Sequence, residues 1–277
     1  MLTDLHNHTR YFSPDATMTI EELIEGARAR DIGQIAVTEH YDMDYPHKDE
    51  IFTFNLDEYG KTFAKWRAKS EVSGGPELLM GIEIGWQAHL SEKIKETAGH
   101  LPFDVIILSN HLFKGSDVYY SKDAPLMNQQ DRNREYIGNM ARMCREINCF
   151  DVAAHYDYIN RYIPSPDSFV LYEDCPGEFD ELFDALISKE KALEINTRSI
   201  DKQLSKGSKF VFPDPAIIKR YMEMGGKLFT LGSDSHSPET IGIHFKETLQ
   251  YLSELGVREI CHFKGRKPYL DQIDTVM

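Results

Sequence analysis

Seven short apolar runs alternate with seven segments of helical periodicity, and that alternation leaves the chain few architectures. The runs are Thr3–His8, Gln34–His40, Leu78–Gly85, Phe103–Ser109, Phe150–His155, Ala192–Asn196 and Lys227–Leu231. Between and after them the spacing predicts helices over Thr17–Asp31, Leu56–Ser70, Glu92–Gly99, Gln129–Ile147, Glu178–Lys189, Pro215–Met224 and His244–Leu255. In the first helix Met18, Ile20, Leu23, Ile24 and Ala27 share one face, and Thr19 with Glu22 forms a capping-box pattern at its start. Strand followed by helix, repeated, is the pattern of a parallel sheet with crossover helices. An eighth strand over Glu259–Phe263 is left open, since no eighth full helix follows it.

The connections are unequal. Helix-to-strand links are short, around Gly33 and Gly225-Gly226, whereas Tyr41–Asn55, Leu112–Met127, Tyr156–Gly177 and Thr197–Asp214 read as long strand-to-helix loops. In α/β barrels the strand C-termini and the loops after them build the site. The proline-containing loop at Pro164, Pro166 and Pro176 is also compatible with a linker, but its Tyr156, Tyr158, Arg161 and Tyr162 suit a pocket wall better. One domain spanning 1–277 is expected.

The polar residues sit where such a barrel would open. His6 and His8 alternate at the end of the first strand and so face the same side. His40 ends the second strand, His111 follows the fourth, His155 ends the fifth, and Asp234 and His236 stand just past the seventh. Glu83 interrupts the apolar run of the third, where a carboxylate is costly unless it is paired or coordinated. Any one of these histidines is ordinarily a hydrogen-bonded strand end. Together, six imidazoles with Asp and Glu and no sulfur form a donor set for zinc, manganese or iron. One strand carboxylate among so many imidazoles suggests more than one ion, with Glu83 bridging.

Composition narrows the partners. Lys and Arg number 31 against 45 Asp and Glu, and 31 − 45 = −14 disfavours a nucleic-acid partner. A small anionic substrate is compatible if cations invert the local field. No segment approaches the apolar length that spans a bilayer, and the first residues do not resemble a secretory signal, so a cytoplasmic protein without membrane contact is expected. Cys144, Cys149, Cys175 and Cys261 form no Cys-x-x-Cys pair and are expected to be reduced, mostly buried thiols. Oligomeric state is not readable.

The set Asp4-Leu5-His6-Asn7-His8, Thr38-Glu39-His40, Glu83, His111, His155 and Gly232-Ser233-Asp234-Ser235-His236 resembles the PHP (polymerase and histidinol phosphatase) superfamily across the whole chain. Within it, the sequence looks most like the monofunctional histidinol-phosphate phosphatases. That resemblance implies a distorted, TIM-like (β/α)7 barrel and a site of two or three divalent ions. It assigns one ion to His6, His8, Glu83 and Asp234, a second to Glu83, His111 and His155, and a third to Asp15, His40 and His236. Asp15, in Ser13-Pro14-Asp15, is the least firmly assigned of these ligands, since it is also readable as a turn former.

Arg161 and Arg198 stand where loops leave the barrel mouth, and guanidinium suits phosphate. With the resemblance, they are expected to clamp the phosphate of a small anionic ester, with Lys114 a weaker candidate and no role assigned to Tyr119-Tyr120. The expected reaction is hydrolysis of a phosphate monoester, L-histidinol phosphate under the resemblance, by a hydroxide that bridges the metals, with Asp15 or His40 as general acid. Alternatives are a protein-tyrosine phosphatase or nucleotide phosphodiesterase of the same superfamily, an amidohydrolase, or a non-catalytic metal-binding module. The amidohydrolase reading lacks a lysine suitably placed between strands.

Overall fold

The computed structural model describes residues 1–47, 51–209 and 211–276. In chain order the elements are β1 (Thr3–Asp4), α1 (Ile20–Ala29), β2 (Gln34–Val37), β3 (His40–Tyr41), α2 (Leu56–Val72), β4 (Glu77–Gly85), α3 (Ser91–Ala98) and β5 (Val105–Ser109). A small hairpin, β6 (Leu112–Phe113) and β7 (Ser116–Asp117), precedes α4 (Gln129–Glu146), β8 (Val152–Ala153), α5 (Tyr158–Arg161) and α6 (Pro176–Ser188). The remainder is β9 (Ala192–Asn196), α7 (Thr197–Ser205), α8 (Pro215–Glu223), β10 (Phe229–Gly232), α9 (Phe245–Glu254), β11 (Glu259–Lys264) and β12 (Lys267–Gln272).

The order β1-β2-β4-β5-β8-β9-β10, parallel throughout, curls round until the two edge strands meet. Closure runs through Leu5 N–H to the Leu231 carbonyl at 3.1 Å, His8 N–H to Ser235 at 2.9 Å and a parallel bridge between Asn7 and Ser235. This is a distorted (β/α)7 barrel.

Strand alternation divides the core in two. On β4, Leu78, Met80, Ile82 and Ile84 face the helices, whereas Leu79, Gly81 and Glu83 face the barrel axis. The axial cluster of Leu5, Ala36, Leu79, Val105, Ile107, Val152, Ala154 and Ala192 fills the lower barrel. One pleat higher the axial positions become polar: Glu83 on β4, Ser109 on β5, and Glu194 and Asn196 on β9. A packed apolar floor therefore carries a buried polar layer at the C-terminal ends of the strands.

Several expectations change in detail. The first strand stops at Asp4 instead of reaching His8, because the Asn7 side chain takes over ladder positions by donating to the carbonyls of Ala36 (3.2 Å) and Asp4 (3.4 Å). The second divides at Thr38-Glu39, where the Thr38 hydroxyl accepts Asn7 N–H at 3.1 Å, and His40–Tyr41 pairs with β4 instead. Glu259–Phe263 is no eighth barrel strand. It forms an antiparallel hairpin with β12, and its Cys261 and Phe263 complete the axial cluster from below.

The stretch Thr197–Asp214 is not simply a loop: α7 starts directly from β9, because the Asn196 side chain accepts Arg198 N–H as an N-cap while Ile200 is buried. The loop Tyr156–Gly177 likewise holds α5, and Leu112–Met127 holds the β6–β7 hairpin. Within Tyr41–Asn55, residues 48–50 lie outside the described residues, as does 210 within Thr197–Asp214. The expected capping box on α1 is formed by Thr19 and Glu22. All four cysteines are free, three of them buried. Among the described residues no helix is long and apolar enough to cross a membrane.

Candidate metal centre

The barrel mouth gathers the expected donors into three adjoining groups. Four donors about 2.1 Å from one ion in tetrahedral array lie roughly 3.4 Å from one another. His6 Nε2 is 3.3 Å from Glu83 Oε2 and 3.9 Å from Asp234 Oδ1, and His8 Nε2 is 3.6 and 3.4 Å from the same two oxygens. Glu83 turns its other oxygen, Oε1, to His111 Nε2 at 3.1 Å and His155 Nε2 at 3.0 Å. A third group joins His40 Nε2 and His236 Nε2, 3.2 Å apart, with Asp15 Oδ2 at 3.6 and 3.0 Å. His40 also reaches Glu83 Oε2 through Nδ1 at 2.7 Å. Glu83 thus touches all three groups, the third through His40.

Burial makes this arrangement expensive without a cation. His6, His8, Glu83 and His155 are at most 1% exposed, and His6 Nε2, His8 Nε2, His40 Nδ1, Glu83 Oε2 and His155 Nδ1 make no hydrogen bond of good geometry, although His40 Nδ1 and Glu83 Oε2 lie 2.7 Å apart. Burial would raise the Glu83 carboxyl, but the charges of His6, His111 and His40 outweigh it and hold it well below its usual range. For Asp234 burial is likewise overcome, by His6, Arg161 and Arg198. His6 is lifted well above its usual value against burial by Glu194, Glu83 and Asp234, while burial, His40 and His236 push His8 well down. Burial opposes a charge on His40 too, yet Asp15 and Glu83 raise it to about 10. Asp15 is held far below the carboxylate range, because His40 and His236 outweigh its burial. These opposed shifts favour a protonated His40 beside an ionised Asp15, and a cation bound between them would displace that proton.

Outer carboxylates that the sequence reading missed orient the imidazoles. Glu194 accepts from His6 Nδ1 at 2.7 Å and from the His155 backbone N–H at 2.8 Å. Asp42 meets His111 Nδ1 at 2.7 Å. Glu39 accepts from the Ser13 hydroxyl at 2.6 Å; that hydroxyl in turn stands 3.4 Å from His8 Nδ1 and accepts His40 N–H at 3.1 Å. Burial pushes Glu39 up to about 7. Glu194 could have been found, since Ala192-Leu193-Glu194-Ile195 carries the same signal as Glu83, an ionisable residue inside an apolar strand. Gly232 is required opposite it: a Cβ there would lie 2.2 Å from Glu194 Oε1 and 2.7 Å from His6 Cβ. His155 (φ 24°) and Asp234 (φ 50°) hold left-handed backbone, strain placed at the site.

Beside the donors a cavity of about 300 Å³ is lined by Asp15, His40, His111, Arg161, Arg198 and a set of aromatic side chains. Arg161 is buried and committed: Nη1 donates to Asp234 Oδ2 at 2.6 Å, and Nη2 to Asn196 Oδ1 at 3.1 Å and Ser199 Oγ at 3.2 Å. Arg198 is more open, donating to the Asp234 carbonyl at 2.8 Å and lying against His236 Nδ1. Lys114 does not join them. It pairs with Glu135 at 3.2 Å away from the cavity, whereas Tyr119 and Tyr120 line it.

A barrel with this donor set matches the PHP domain over residues 4–198, and the chain belongs to that family. It is similar along its length to a probable histidinol-phosphatase of Clostridium acetobutylicum, 33% identical over 97% of this chain and 100% of the relative. A histidinol-phosphatase of Lactococcus lactis is 30% identical over 95% of each chain. Among solved structures, histidinol phosphate phosphatase from Lactococcus lactis, in complex with zinc, L-histidinol and phosphate, superposes with a TM-score of 0.82 at 27% identity, covering 98% of this chain and 99% of that one. The putative histidinol phosphatase of Listeria monocytogenes, at TM-score 0.72 and 18% identity over 88% of this chain and 99% of that one, shares the fold.

Proposed function

We propose that this protein is a metal-dependent phosphatase that hydrolyses L-histidinol phosphate to L-histidinol and phosphate. The observation that carries the chemistry is the buried Glu83, whose two oxygens face separate imidazole groups. The substrate follows from the two full-length relatives and the Lactococcus structure with histidinol and phosphate. His6, His8, Glu83 and Asp234 would hold one ion, Glu83, His111 and His155 a second, and Asp15, His40 and His236 a third, the donor chemistry suiting zinc, manganese or iron. Bound there, such ions acidify water to a nucleophile at neutral pH and neutralise the phosphoryl charge.

The chain's own residues bind and orient the ester. Arg198, the freer guanidinium, takes a phosphate oxygen, and Arg161 adds charge from behind while fixing Asp234. His40 and Asp15 stand at the cavity edge, where they would serve as ligands of the third ion or, without it, pass the His40 proton to the leaving oxygen. A cytoplasmic setting fits this small-molecule chemistry.

Phosphate release from L-histidinol phosphate, p-nitrophenyl phosphate and a dinucleotide, on protein whose metals have been counted, tests the reading. Selective turnover of the first, with two or three ions per chain, is expected. Preference for the dinucleotide or a phosphotyrosine peptide transfers the site to the rival phosphoesterases, and full metal loading without turnover makes it a binding module. Arg198→Ala should cut kcat/KM for phosphomonoesters by about 100-fold; wild-type kinetics in that variant would remove Arg198 from the site.

A further inference from the structure

The end of the cavity away from the donors is built differently. Tyr45, Phe52, Tyr119, Tyr158 and Tyr162 surround a single carboxylate, Asp117, which is 5% exposed at the end of β7. Its Oδ1 accepts from Tyr119 N–H at 2.7 Å and the Tyr158 hydroxyl at 3.0 Å, and its Oδ2 from the Tyr45 hydroxyl at 3.0 Å. Among the described residues no lysine, arginine or histidine pairs with it, so three neutral donors alone compensate a buried negative charge. A desolvated carboxylate in an aromatic pocket is matched by a ligand N–H that carries positive charge.

Position selects which ligand nitrogen this is. The Tyr158 ring lies 4.9 Å from the His155 ring and 5.4 Å from that of His111, and its hydroxyl points onward to Asp117. The Tyr158 hydroxyl thus links the carboxylate to the donor side of the cavity, and Asp117 itself belongs to the hairpin that follows His111. When an amino-alcohol phosphate is anchored by its phosphate, its ammonium remains near the phosphate and its ring lies at the far end.

We propose that Asp117 is the specificity-determining residue of the pocket. It accepts an imidazole N–H of the substrate, and the tyrosines pack against the ring. This rests on the histidinol phosphate reading above, and it adds why an imidazole is preferred to another side chain of similar size.

The test compares wild type with Asp117→Asn on four esters: L-histidinol phosphate, its analogue lacking the amine, L-phenylalaninol phosphate and p-nitrophenyl phosphate. The expected result is a fall of about 100-fold, largely in KM, in the preference for the two imidazole esters over phenylalaninol phosphate. An equal loss on all four esters, or a loss that follows the amine instead of the ring, overturns the proposal. Wild-type protein alone provides a second reading: L-histidinol should inhibit p-nitrophenyl phosphate hydrolysis at least about 50-fold more tightly than L-phenylalaninol, and equal inhibition rejects the assignment even if the variant does not fold. Failure of wild type to hydrolyse histidinol phosphate while it hydrolyses another ester counts against the proposed function itself; loss of the Asp117 effect with histidinol phosphate turnover intact counts against this inference alone.

Discussion

Glu194→Gln isolates the outer carboxylate from its own volume. The native side chain accepts three donors, His6 Nδ1–H at 2.7 Å on Oε1 and both His155 N–H at 2.8 Å and the Asn196 amide at 3.1 Å on Oε2, all in a region closed to water. A glutamine has one acceptor oxygen. With that oxygen kept on His155 N–H, its NH₂ faces His6 Nδ1, and the imidazole has two responses. It can keep its Nδ1 proton and lose the hydrogen bond, leaving a buried donor unsatisfied at about 1–3 kcal/mol. Alternatively it moves the proton to Nε2, the atom turned toward Glu83 and Asp234, and can no longer ligate there. Either response weakens ion binding by roughly 10–100-fold, the range found when such outer partners are removed. The assay is competitive zinc titration against a chromogenic chelator, with the unfolding midpoint of ion-free protein beside it. Zinc affinity within twofold of wild type, with the variant folded, would refute the claim that Glu194 sets the His6 tautomer.

Two other perturbations probe the same layer. Gly232→Ala places a methyl 2.2 Å from Glu194 Oε1 and 2.7 Å from His6 Cβ, and because both neighbours are buried it should cost about 1–3 kcal/mol in denaturant unfolding together with metal affinity. Burial pushes Asp4 up to about 6 from 3.8, so the stability its protonated form contributes is complete below about pH 3.8 and lost as pH rises through about 6. Relative to Asp4→Asn, the wild-type protein should lose on the order of 3 kcal/mol across that window in pH-dependent unfolding; parallel profiles would show that Asp4 is not the group responsible.

The barrel was legible because its signal is repeated. Each strand–helix unit carries its own periodicity, and the donors occupy equivalent positions at strand ends, so an error in one element does not displace the others. Boundaries set by side chains were not legible. Asn7 ends β1 by donating to carbonyls that a longer strand would have paired, and Asn196 serves as the last residue of β9 and the cap of α7 at once, which leaves no linker to see. The apolar pattern of Glu259–Phe263 reports burial but not direction, so an antiparallel plug under the barrel reads like another parallel strand. Within the site, Glu83 stood out as a carboxylate in an apolar run, and Glu194 carries the same signature. Asp117 has no local signal, because tyrosines distant in sequence bury it.

The seam of the barrel lies between its first and last strands, and it is held by short-range links such as Ser233 N–H to Asp4 Oδ1 at 3.0 Å, between residues 229 apart in the chain. His6 and His8 stand on one side of that seam, and Asp234 and His236 on the other. The proposed centre is therefore complete only when the ring is closed. An ion held as proposed by His6, His8 and Asp234 would act as a clasp across one of the longest loops the chain has to close, where the entropy of separation is large. Without such an ion the seam would rest on its hydrogen bonds alone.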